Sequence, residues 1–107
     1  METRINTQVK IYFIVMNGVY DNAEVGHIAV ISTSREKLIE FYKSQVIDEP
    51  FRDEYGRYRS FKSGPLYDFN PLDSFDEPDA FGHGVKDEWV SIDELVGAKQ
   101  RFYFVEE

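Results

Sequence analysis

A chain of 107 residues that is 42% apolar and 16% aromatic holds enough material for one core and too much for a disordered segment, despite a net charge of −8. The lack of cysteine excludes a disulfide framework, thiolate chemistry and Cys-ligated zinc. No apolar run reaches bilayer length and Met1–Gln8 lacks a leader-like apolar stretch, so a cytoplasmic protein with no membrane association is expected.

Residues 1–8 are polar and read as a frayed terminus, leaving 9–107 as a single domain. Val9–Met16, VKIYFIVM, is rich in β-branched and aromatic residues and reads as a strand. Alternation puts Ile11, Phe13 and Val15 in one row and Tyr12, Ile14 and Met16 in the other. Both rows are apolar, which marks a strand covered on both sides and central in its sheet. Asn17–Gly26 carries turn chemistry, and His27–Ser32 is a second strand, with Ile28 and Val30 on one face and Ala29 and Ile31 on the other. A link of this length predicts an antiparallel pair.

Thr33 with Glu36 three residues later fits a capping box, and a helix is predicted from Ser34 to about Val46. Leu38, Ile39, Phe41, Tyr42 and Val46 share its apolar arc, and Pro50 lies beyond its end. In Phe51–Ser63, Arg52, Arg57, Arg59 and Lys62 interleave with Tyr55, Tyr58 and Phe61, and Gly56 marks a turn between two short strands. Leu66–Phe69 reads as another short strand. Asn70–Gly84 reads as an ordered loop pinned by Leu72, Phe75 and Phe81. Ser91 with Glu94 repeats the capping-box pattern, Gly97 is expected to end a short helix, and Arg101–Val105 is the last strand.

The expected fold is α+β: a small, mostly antiparallel sheet with one amphipathic helix packed on one face. Phe13, Val30, Leu38, Phe41 and Phe104 are the expected core. The second sheet face is also apolar and needs a cover, either the aromatic loop or a second subunit in a homodimer.

Residues 1–66 sum to zero charge, so residues 67–107 hold the whole −8. Nucleic acid is therefore not expected as a direct ligand, because phosphates would be repelled, and a basic protein partner is favoured. Asp73, Asp76, Glu77, Asp79, Asp87 and Glu88 are the candidate contacts, with Phe75 and Phe81 as aromatic anchors. The expected function is that of a small acidic, non-enzymatic interaction protein: an inhibitor, antidote or immunity-type protein, with carboxylates able to mimic nucleic-acid phosphates. The alternative is a nucleic-acid-associated adaptor that uses Arg52, Arg57, Tyr58, Arg59 and Lys62 to stack on and neutralise a single strand. Docking of that segment against the acidic loop is the more economical reading of the same residues.

A third reading is a small metal-dependent hydrolase centred on His83, which sits between Gly82 and Gly84 near Asp76, Glu77, Asp79 and Asp87. The spacing of these acids matches no calcium loop, no paired-histidine motif is present, and no catalytic residue or cofactor is assigned. Glu88–Leu95, EWVSIDEL, resembles the stretch that follows the catalytic core of Nudix hydrolases. The Glu-rich REXXEE helix of that family is absent, so the resemblance brings no metal ligands with it.

Overall fold

The computed structural model describes residues 7–19, 26–77 and 79–106. The chain runs β1 (Gln8–Met16), β2 (His27–Ser32), α1 (Arg35–Gln45), β3 (Val46–Arg52), β4 (Tyr58–Phe61), β5 (Gly84–Ser91), α2 (Ile92–Arg101) and β6 (Tyr103–Val105). This is an α+β fold. Four strands form one sheet in the order β5-β1-β2-β6, and β3 and β4 form a separate pair. β1 is antiparallel to both its neighbours, whereas β6 joins β2 in parallel. Of the terminus expected to fray, residues 1–6 lie outside the described residues, and Gln8 already pairs with Ser91.

The two apolar rows of β1 serve two cores. Ile14 and Met16 are fully buried beside Leu38 and Tyr42 of α1, and Tyr12 packs against the same cluster. Ile11 and Phe13 face the other way, toward Ala98 and Phe102 at α2. β2 departs from strict alternation. Its register against β1 shifts between Ile14 and Val15, which pair with Val30 and Ile28. Ala29 is thus the extra residue of a bulge. The bulge turns Ala29 and Val30 together into the α1 core and leaves Ile28 and Ile31 together on the α2 side. That grouping replaces the expected one.

α1 starts one residue later than its sequence suggests. Ser34, with extended backbone, is the N-cap; its hydroxyl accepts from the Lys37 N–H, which leaves Glu36 off the capping-box position that Thr33 would have needed. Leu38 is fully buried and Tyr42 nearly so, and Phe41 stacks on Tyr103 with ring centroids 5.2 Å apart. Val46 is exposed and begins β3 instead of extending the helix face. Of the expected core, Val30 and Leu38 are fully enclosed, whereas Phe13, Phe41 and Phe104 are half-buried.

α2 has the full capping box read from Ser91 and Glu94, each satisfying the other's backbone N–H. Gly97 does not end it. The helix runs on to Arg101, and the Phe102 N–H closes it on the Ala98 carbonyl at 2.9 Å. A glycine inside a helix costs about 1 kcal/mol and does not forbid it. β6 is correspondingly shorter than expected.

The second sheet face is therefore covered by a second helix, not by the aromatic loop. Leu66, Phe69, Leu72 and Phe75 all pack into the α1 core. The cover is incomplete: a cavity of about 280 Å³ remains between α2 and the sheet. Leu66–Phe69 is a pair of tight turns after Gly64-Pro65, the Tyr67 and Phe69 N–H groups donating to the Gly64 and Leu66 carbonyls, and not a strand. Among the described residues no helix is long and apolar enough to cross a membrane.

Candidate functional site

The acidic loop is held at both ends. At its start, Val19 N–H donates to Asp68 O (2.9 Å), Asn70 N–H to Asn17 O (2.9 Å) and the Asn70 side chain to Gly18 O (3.3 Å). In the middle, Leu72 N–H donates to the Tyr42 hydroxyl at 2.9 Å, and Phe75 meets the Tyr42 ring edge-on at 4.9 Å. Phe75, expected as an aromatic anchor for a partner, thus packs inward against the α1 core. Phe81 is half-exposed and lies against the His83 ring, so it pins nothing in the core.

Within this frame, short polar side chains order the backbone. The Ser74 hydroxyl accepts from the Asp76 and Glu77 N–H groups. Asp79 Oδ1 accepts from Phe81 N–H (2.9 Å) and His83 N–H (3.0 Å), while its Oδ2 lies 2.8 Å from His83 Nδ1. The hydrogen bond from the His83 backbone holds the Asp79 carboxyl below its ordinary value, against a smaller opposing effect of burial; the Phe81 N–H and the His83 side chain add to the lowering.

His83 is an interior residue, only 6% exposed, and its Nε2 has no hydrogen-bond partner among the described residues. A Cβ on Gly26 would come within 2.9 Å of its Cδ2 and 2.7 Å of Val15 Cγ1, so the ring is packed against bare backbone. Among the described residues no three His, Asp or Glu side chains converge as a metal-binding group.

Asp73, Ser74, Glu77, Asp79 and His83, with Asn17, Pro71 and Leu72, line a cavity of about 150 Å³. Three of the predicted acidic residues therefore line one concavity, and among the described residues no lysine or arginine lines it. Asp76 is directed elsewhere and forms an exposed ion pair with Arg35 at 2.7 Å. Asp87 and Glu88 are remote in role. They sit on opposite faces of β5, Asp87 paired with Lys10 at 3.3 Å and Glu88 at the mouth of the cavity under α2. The predicted acidic set is thus divided among four places.

The Arg/Tyr segment is a hairpin, β3-β4, turned at Gly56 with φ +78°. Asp53 organises the turn. Burial would raise its pKa, but the N–H groups of Arg57 and Tyr55 and the Arg59 guanidinium hold it below the ordinary value. Arg59 is 4% exposed. It reaches Asp53 and Asp68 at 3.0 Å each and lies over the Tyr67 ring, so it is an internal tie between hairpin and acidic segment, not a surface contact for nucleic acid. Arg52 and Arg57 lie over Tyr58 and Tyr55 at the hairpin tip, and Lys62 is exposed beyond it. Asn17 and Ser74 were not singled out in the sequence, and Tyr42 was read there only as part of the apolar arc of the helix, not as the hydroxyl that holds Leu72. The spacing Ser74-x-Asp76 is a turn signal that would have marked Ser74; nothing local marks the other two.

No protein family, curated protein or solved structure matches the chain.

Proposed function

We propose that the protein is a small acidic binding protein whose loop 70–84 receives a basic protein partner, in the manner of an inhibitor, antidote or immunity-type protein. The observation that carries this reading is that Asp73, Glu77 and Asp79 line one concavity which has no basic lining residue among the described residues. An isolated run of acids would be a solvated surface; acids gathered around a hollow of about 150 Å³ leave room for a lysine or arginine head. The half-exposed Phe81 beside His83 offers that partner an apolar contact at the rim.

Asp79 holds the loop's own backbone, so the test replaces only Asp73 and Glu77. Asp73→Lys with Glu77→Lys is expected to fold normally by circular dichroism. A basic protein captured from the host on the wild-type chain should associate about tenfold or more slowly with the double variant, and with a flatter salt dependence. Unchanged capture and unchanged association by the folded variant would leave the loop a solvated surface and end this reading.

A further inference from the structure

Gly97 sits inside α2, where glycine lowers helix stability, and the fold gives no internal reason for it. Among the described residues, no heavy atom of the rest of the molecule lies within 4 Å of where its Cβ would be, and its φ is not in the left-handed region. The bare backbone at Gly97 opens onto the incompletely covered sheet face. There Ile28 is 37% exposed, and Glu94 and Arg101 stand at the mouth with Glu88. Further along the same helix, Ile92 and Val96 are about half exposed, one helical turn apart.

The charges on α2 are separated along its length. Asp93 and Glu94 occupy the first turn, Lys99 and Arg101 the last. Such a helix is complementary to itself when reversed. Its midpoint falls between Val96 and Gly97. An antiparallel two-fold pair centred there brings Asp93 and Glu94 of each copy beside Arg101 of the other, and Gly97 lets the two backbones approach closely.

We infer that a second copy of this chain packs antiparallel, α2 on α2 about Val96 and Gly97, and so covers the apolar face that one copy leaves open. This surface is separate from the acidic loop, and the inference does not depend on the proposed basic partner.

Sedimentation of the full chain over a concentration series should show a species of about twice 12.5 kDa. Gly97→Leu places a side chain where the monomer has none, so the fold should be kept while the dimer dissociation constant rises about tenfold or more. Asp93→Lys and Arg101→Glu should each weaken the dimer similarly, and the two together should restore it to within about threefold of wild type. That rescue cannot come from damage to the fold, so it decides the matter even if Gly97→Leu folds poorly. A wild type that stays monomeric throughout, a dimer indifferent to both single charge changes, or a double variant as weak as the singles would overturn the inference. So would a monomer found by native mass spectrometry to carry a small apolar molecule.

Discussion

The carboxylate of Asp79 accepts two backbone N–H groups and faces the His83 imidazole, and this sets how the loop responds to acid. Its folded-state pKa lies below the unfolded value. Ionised Asp79 therefore contributes stability that is full above the ordinary aspartate value of about 4 and is lost as pH falls through the lowered folded-state value. Asp53 has the same sign, because the donors from Arg57, Tyr55 and Arg59 outweigh its burial. Asp79→Asn should thus be less stable than wild type at neutral pH, and should lose less of its remaining stability on acidification. Thermal midpoints taken from about pH 6 to about pH 2 would measure this, and parallel curves for the two proteins would refute it. The sequence showed Asp79 only as one acid among several, because counting charge does not reveal which carboxylates satisfy backbone donors. Arg59 misleads in the same way. In the chain it is one of four interleaved bases, and only the fold shows it closed in between Asp53 and Asp68.

Among the elements, those set by local chemistry were legible and those set by neighbours were not. The Ser91–Glu94 box and the apolar arc of α1 could be read directly, since capping and 3.6-residue periodicity act within a few residues. Thr33 and Ser34 carry equivalent hydroxyls, so which one caps α1 is decided by backbone angles that the sequence does not display. The bulge at Ala29 left no trace either. Both faces of β2 are apolar, and moving one residue across the sheet changes nothing in the hydrophobic pattern. Leu38 joins helix to sheet, fully buried among Ile14, Met16, Val30 and Tyr42. Leu38→Ala is expected to cost about 2–5 kcal/mol in equilibrium denaturation, the range for buried leucine truncation. A loss below about 1 kcal/mol would mean that α1 packs less tightly than its burial states.

For the whole molecule, the separation of charge matters more than its amount. The neutral first 66 residues build β1, β2, α1 and the hairpin, and the acidic remainder supplies loop, β5 and α2. Among the described residues, three ion pairs tie the parts across this divide: Lys10 to Asp87, Arg35 to Asp76 and Arg59 to Asp68. Two of them are exposed and contribute little, so net repulsion within the acidic part should dominate the salt response. Raising salt from about 0.02 M to about 0.2 M should raise the thermal midpoint, because the screening length shortens to below about 10 Å. A falling midpoint would show that attraction across the three ties outweighs repulsion. The fold class was legible because it follows from the order of strands and helices. The acidic concavity was legible only as a list of charges, since it exists through Tyr42 and Asn17, distant residues that hold the loop in its curve.

The place of β1 also has a consequence in time. One of its neighbours, β2, follows after a short link, but the other, β5, begins at Gly84, near the far end of the chain. A ribosome releases residues in sequence, so β1 and β2 can pair early while the opposite edge of β1 waits for most of the remaining chain. During that interval a strand apolar on both faces presents unpaired N–H and C=O groups, the template on which chains aggregate. Fragments ending before Gly84 would keep that edge permanently. The arrival of β5 thus fills the open edge of β1 and ends the nascent chain's period of greatest exposure to its neighbours.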